Sequence, residues 1–520
     1  MPHLQSVVNG RTDYDEWERE GAEGWSYKDL RPYFLKSEGF SPTVNNPDIR
    51  ADEHGTSGPW KTRRPGVDPI SKIMLKSCAN VGIPITKDFN TPRGTLGATT
   101  WTAFMDGKGY SEYKIQTIRQ IYPKNSPRLG SSSATAYLTS DVLARRNLFV
   151  ALTCCVEKIL FDNGSNMPRA IGVELRTSRD GPLFRVSARK EVILSAGAYV
   201  TPQLLMISGI GPRAELEEKE IKVIKDLPAV GKNLVDHAAC GSVVYRTTKS
   251  LPTYDRLNNP LRALVALVQW YITGKGPMAV LTSPGGAFIR SDDPSLPYDT
   301  PGEQTPRNLV DLTSGPNAPD LEIAWWKQFL NILSFPLIGL DGGLGKTPPG
   351  IQGITISVVS LRPKSSGEVT LKTNSVWDKP IVDPKWFSDE HDMHVLTRGL
   401  RLILKIARAK PFADFADYRE DKKYPFLWLG TQDPDALSEE ELHGFIRQKS
   451  TPAWHPACTA RMGKSEDSSV VDTKLQVHGI RSLRIIDTSV FPKQISGHPC
   501  APVIAMAEKA SDMIKKAHTG

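Results

Sequence analysis

Two stretches near the C-terminus share a pattern, His-Pro followed closely by Cys: AWHPACTARMG, Ala453 to Gly463, and SGHPCAP, Ser496 to Pro502. Three readings suit these side chains. A histidine pair can take and return a proton near neutral pH, because imidazole titrates around pH 6.5. His455, Cys458, His498 and Cys500 also offer four donors of the kind that bind zinc. Alternatively, all four are ordinary core residues. Structural zinc usually draws on C-x2-4-C or H-x3-5-H pairs, and the tight His-Pro-Cys restricts how both side chains turn inward, so the spacing disfavours a metal.

The elements around them are legible. In APVIAMAEKASDMIKKA, Val503, Met506, Ala507, Ala510, Met513 and Ile514 recur at helical spacing, and Pro502 suits a first turn, so a helix begins just after His498. SLRIIDTS reads as a strand ahead of it. Between Asn147 and Ala198 the runs NLFVAL, VEKILF, AIGVEL, FRVSA and KEVILSAG read as strands, with DNG a hairpin signal. GAYVTPQLLMISGIG, Gly197 to Gly211, follows as a turn and helix; alone it is either a packing unit or an anion site at a helix N-terminus. In GWSYKDLRPYFLKSEG, Ser26 suits an N-cap, with Leu30, Tyr33 and Phe34 on the buried face. From about Gly241 to Pro452 the chain is loopier and Pro-rich, which suggests a second lobe. GLDGGLGKT, Gly339 to Thr347, tempts as a phosphate loop, but Leu340 stands where the first glycine is required.

Composition narrows the class. A chain of 520 residues with 39% apolar and 23% charged residues suits a globular α/β protein of more than one lobe. The net charge of +8 is spread out, without the basic runs and interleaved aromatics of a nucleic-acid surface. Six scattered cysteines with no CxxC point to a reducing compartment, and no secretory signal or membrane span is legible, so a cytoplasmic protein is expected.

In order along the chain come DYDEWEREGAEGWSYKDLRPYFLKSE, PRGTLGATT, SSSATAYL, LSAGAYVTPQLLMISGIGP, AVGKNLVDH, LRPKSSGEVTL, WHPACTARMG, LRIIDTSVFP and GHPCAPVIAMAEKASDMI. This set resembles the glucose-methanol-choline (GMC) family of FAD-dependent oxidoreductases, and is most similar to fungal members acting on alcohols. The resemblance implies an α/β, two-lobed fold. A discontinuous, Rossmann-like FAD-binding domain, incomplete at its N-terminus, would occupy residues 1–238 with cap segments and return over 453–516 with the histidines. An α+β substrate-binding domain would occupy 239–452. The resemblance also makes His455 and His498 the catalytic pair facing the flavin N5. One imidazole, His455 by preference, takes the hydroxyl proton of a small-molecule alcohol while hydride leaves for the flavin. Val156, Trp454, Asp487, Thr488 and Pro499 become FAD contacts, Cys458 and Cys500 become packing residues, and the helix after Pro502 directs its positive end at the flavin pyrimidine.

The sequence departs from that pattern in two places. No GxGxxG turn precedes VVNGRTDYDEW, and roughly ninety family residues, with the first strand of the dinucleotide fold, would stand ahead of it. The expected consequence is weakened FAD binding. SEYKIQTIRQIYPKNSPRLG is longer than the family spacing and reads unlike its surroundings; both departures suggest an imperfect gene model, the second an unspliced intron. The expected activity is FAD-dependent oxidation of a hydrophobic or secondary-metabolite alcohol, with ALVQWYITGKGPM and LEIAWWKQFLNIL furnishing an apolar pocket or entrance. The rival is a redox-inactive or flavin-free relative: a lyase or cyclase using the same histidines, or a non-catalytic remnant. Neither the alcohol nor the electron acceptor is legible.

Overall fold

Alternation of side chains across strands builds the largest element of this computed structural model, an antiparallel sheet. The structure describes residues 10–42, 49–64, 67–91, 94–104, 132–162, 164, 167–248, 251, 253–273, 276–277, 283–299, 309–327, 352–423 and 427–519. The stretches SEYKIQTIRQIYPKNSPRLG and GLDGGLGKT, and the second half of LEIAWWKQFLNIL, lie outside them.

In that sheet the strands Gly97–Thr100, Gly285–Ile289, Leu321–Trp326, Gly353–Ser360, Ala238–Thr247 and Ala416–Asp417 lie side by side, with Thr451–Pro452 pairing to the start of Ala238–Thr247. One face carries Leu321, Ile323, Trp325, Ile356 and Val358 into a core shared with the helix Glu390–Arg408. Gly399 lets that helix close on the sheet, since a Cβ there would stand 2.5 Å from Val358. The other face is set by register: Glu322 lies opposite Phe288 on one neighbour and Val359 on the next, so all three project the same way. Phe288 and Val359 there join Phe89, Trp101, Ala324 and Ala453 in a separate apolar cluster.

A second large core gathers the rest. It runs from Tyr14 to Val230 and again from Ala457 to Ala510, with Leu371. A parallel pair, Val192–Leu194 with Leu483–Ile485, crosses it. Beside this pair lies the antiparallel sheet Cys155–Asp162, Arg169–Arg176 and Phe184–Ser187; Asn163 of the DNG signal lies outside the described residues. The helix Gly197–Ile207 is buried along most of its length, and Ser26 opens the helix Tyr27–Ser37 with its main-chain N–H and its hydroxyl on Asp29.

Two expectations need correction. NLFVAL forms no strand: residues 147–152 run as turn and coil, with Phe149 90% and Leu152 77% exposed. A period-2 run becomes a strand only where a neighbour completes its ladder, and among the described residues none does. The C-terminal helix, Cys500–His518, buries Ala501, Pro502, Ala505, Met506 and Ala510, while Ala507 is exposed. Packing against the helix Tyr27–Ser37 thus selects a face turned by about one position from the pattern in the sequence. Among the described residues no helix is long and apolar enough to cross a membrane.

Candidate active site

His455 owes its position to a break in strand pairing. The segment before Ala238 runs antiparallel to the segment after Thr451: the Ala453 N–H donates to the His237 carbonyl at 2.9 Å, and the Ala457 N–H to the Val235 carbonyl at 3.0 Å. Trp454, His455 and Pro456 therefore bulge out opposite Asp236 alone. Such extra residues re-aim side chains. Trp454 takes a left-handed φ of 64° and lies 44% exposed, whereas His455 turns inward and is buried. The bulge is held by polar groups. Asp236 accepts the His455 main-chain N–H at 2.8 Å and the Tyr199 hydroxyl at 3.0 Å, and Gln494 donates to the His455 carbonyl at 2.6 Å. Burial pushes the Asp236 carboxyl up to about 6, against the lowering effect of those two donors.

His498 reaches the same place from a different loop. Its ring centroid lies 5.0 Å from that of His455. Its Nε2 donates to the Glu322 carboxylate, 3.0 Å from both oxygens, and both residues are buried. Trp101 and Phe288 flank it, at 5.6 and 6.2 Å between centroids. The loop is anchored two residues earlier, where Ser496 gives both its N–H and its hydroxyl to buried Asp13. The pair expected from sequence is thus brought together, with one ring fixed by a carboxylate on the sheet. Cys458 turns into the large core, where burial pushes its thiol up to about 12; Cys500 opens the C-terminal helix beside Trp60 and Ile504.

The residues expected to meet a flavin divide into two places joined by one turn. Val156, on the strand Cys155–Asp162, lines an apolar cavity of about 550 Å³ with Cys155, Gly172, Ile193, Ala196 and Val200. The cavity reaches the start of the helix Gly197–Ile207, where Gly197 has φ 83° and no atom within 4 Å of where a Cβ would stand. Trp454 and Pro499 lie beside His455 and His498. Asp487 and Thr488 sit between: Asp487 accepts from Gly197 N–H at 2.9 Å, Thr201 hydroxyl at 2.6 Å and Ser489 N–H at 2.8 Å. Thr488 donates its hydroxyl to the Pro456 carbonyl at 2.9 Å. The Asp487 carboxylate is therefore engaged inside the protein. The apolar cavity around Val156 fits one ring system of a flavin dinucleotide, and the two histidines, with Trp454 and Pro499, lie on the other side of the Asp487 turn.

Asp236, His237 and Glu322 were missed as site residues. Asp236 and His237 sit in NLVDH, a motif of the family resemblance whose chemistry is hidden because the chain meets His455 only through the sheet. Glu322 carries a local signal, a lone acid in the apolar run LEIAWW.

Models of GMC oxidoreductases match residues 6–113 and 118–239 with their N-terminal part and 363–507 with their C-terminal part. Dehydrogenase str4 of Strobilurus tenacellus is 41% identical over 514 residues, covering 97% of this chain and 78% of that protein. Human mitochondrial choline dehydrogenase is 31% identical over 509 residues, covering 97% and 72%. Among solved structures, an FAD-dependent oxidoreductase from Chaetomium thermophilum superimposes with a TM-score of 0.78 at 25% identity, covering 99% of this chain and 84% of that one. A formate oxidase superimposes with a TM-score of 0.81 at 24% identity, covering 99% and 82%, and shares the fold.

Proposed function

Since the chain belongs to the GMC oxidoreductase family, we propose that it oxidises a hydrophobic alcohol to the aldehyde or ketone, with His455 and His498 handling the hydroxyl. The observation that carries this reading is the convergence of the two rings, 5.0 Å apart and anchored from separate loops, beside an apolar wall of Trp101 and Phe288. His455 takes the hydroxyl proton, and the oxygen keeps the bonding pair, which eases departure of hydride from the carbinol carbon. His498, fixed through Nε2 by Glu322, orients the hydroxyl from the other side. The apolar wall excludes water and favours a substrate with a hydrophobic body. FAD, when bound, supplies the acceptor for the two electrons. Val156 would meet the adenine; Asp487 and Thr488 would meet the diphosphate through main-chain groups; Trp454 and Pro499 would border the isoalloxazine. In this reading residues 1–238 and 453–516 serve the cofactor and 239–452 the substrate.

The test is anaerobic reduction. Protein loaded with FAD is mixed with a panel of aliphatic and aryl alcohols while the visible flavin band is followed. Bleaching by at least one alcohol, abolished in His455→Asn, supports the reading. A flavin-loaded protein that no alcohol bleaches would overturn it.

A further inference from the structure

We propose that His237 acts as a positioning residue that sets the tautomer of His455, and so designates Nε2 of His455 as the atom that takes the substrate proton. The inference deepens the reading of His455 as the base and rests on it. It begins at the far end of the chain of contacts. His237 Nε2 lies 3.1 Å from the Ile495 carbonyl oxygen, which can only accept, so the His237 proton sits on Nε2. His237 is fully buried, and burial drives its pKa down to about 3, so the ring carries a single proton and its Nδ1 is a lone pair. That lone pair lies 3.0 Å from Nδ1 of His455, with the rings perpendicular at 88°. Two lone pairs cannot face each other at this distance, so His455 donates from Nδ1. The neutral ring then has its acceptor at Nε2.

Two further features support the assignment. The dipeptide Asp236–His237 grips His455 at two points, main chain by the carboxylate and ring by the imidazole, so position and tautomer come from adjacent residues. The arrangement also favours the protonated product of the step. As the substrate O–H bond breaks and an N–H bond forms at Nε2, the Nδ1–H of the resulting imidazolium makes a charge-assisted bond to His237. The other ionisable groups bearing on His237 are Glu322, His498 and Arg362, besides Asp236 in the chain. Ile495 is the pivot, because its carbonyl fixes the first proton and lies on the same loop that carries His498.

The test needs readouts with and without turnover. In protein with ¹⁵N-labelled histidine, the His455 tautomer is read by NMR from its ring nitrogen shifts, assigned by comparison with His455→Asn; wild type is expected to show protonated Nδ1 and unprotonated Nε2. His237→Leu removes both hydrogen bonds and is expected to mix the His455 tautomers, and to lower kcat about 100-fold with KM changed less than about threefold. His237→Gln, whose amide can donate to Ile495 and accept from His455, is expected to restore the tautomer and bring kcat back to within about tenfold of wild type. Thermal melts identify any loss that is merely unfolding. A wild-type His455 protonated at Nε2, or a folded His237→Leu with unaltered tautomer and pH profile, overturns the proposal. If no alcohol is oxidised, the reading of the reaction fails while the NMR result still decides the tautomer.

Discussion

Glu322 is a buried carboxylate on a strand of otherwise apolar residues, and a charge in that setting is tolerated only with a partner. His498 is that partner, and the two fix each other. Removing the acceptor and removing the charge should therefore have different effects. Glu322→Leu leaves the Nε2–H of His498 against a hydrocarbon wall and is expected to cost about 1–3 kcal/mol in stability, read by denaturant unfolding. Glu322→Gln keeps the shape and an acceptor but removes the charge; kcat is expected to fall about 10- to 100-fold with KM nearly unchanged. If Glu322→Gln matches wild type in kcat, the carboxylate merely holds the ring in place. Asp236 is the other carboxyl of the site, and its neutral form is favoured below about pH 6. Because its folded pKa is raised, ionisation opposes folding: its contribution to stability is greatest below the unfolded value of 3.8 and falls as pH rises to about 6. The bonds from His455 N–H and Tyr199 favour the ionised form, so activity is expected to decline on the acid side of pH 6. Asp236→Asn should remove this contribution to the acid limb of the pH–rate profile.

At the scale of elements, turns and bulges carry the site, and they account for what was legible beforehand. The helix after Pro502 and the two histidines were readable because period and motif are local. The bulge at Trp454–Pro456 was not, since it exists only relative to the strand pairing at Val235 and His237, more than two hundred residues earlier. Glu322 faces His498 for the same kind of reason: register with Phe288 and Val359, which no single window contains, decides which face it takes. NLFVAL shows the converse, a good strand pattern with no adjoining strand among the described residues. The turn at Asp487 is the element that ties the histidine loops to the cavity around Val156, through Gly197, Thr201 and Ser489 on one carboxylate. Asp487→Ala removes three acceptor contacts at once and is expected to destabilise the protein by about 2–4 kcal/mol, measured by chemical denaturation. If the protein instead unfolds as wild type does, these contacts are replaced by solvent and the turn does not organise the helix Gly197–Ile207.

For the whole molecule, the question is what holds the sheet-based core against the N-terminal segments that wall the site. One answer is a buried triad. His54 donates from Nδ1 to Glu38, 3.0 Å away, and from Nε2 to Asp88, 2.8 Å away, while Phe40 stacks on its ring at 4.2 Å. The residue after Asp88 is Phe89, which packs on Trp101 and Phe288, the rings that flank His498. The triad thus pins the strand Glu38–Ser41 to the apolar wall behind His455 and His498. Burial alone would depress the His54 pKa, but the hydrogen bonds to Asp88 and Glu38 outweigh it and raise the value to about 10. A raised folded pKa means that the folded state binds the proton more tightly. The stabilisation is therefore complete below the unfolded value of about 6.5 and is lost as pH rises through about 10. Melting temperature is expected to fall steadily between these values in wild type and to be flatter in His54→Gln, which cannot hold the proton. The mutant should be less stable by a few kcal/mol at neutral pH, because two carboxylates then lose their shared cation. Parallel alkaline losses in both proteins would show that another group governs that limb. A loss of catalytic rate in wild type ahead of the melt would place the first effect of deprotonation at the wall behind His498.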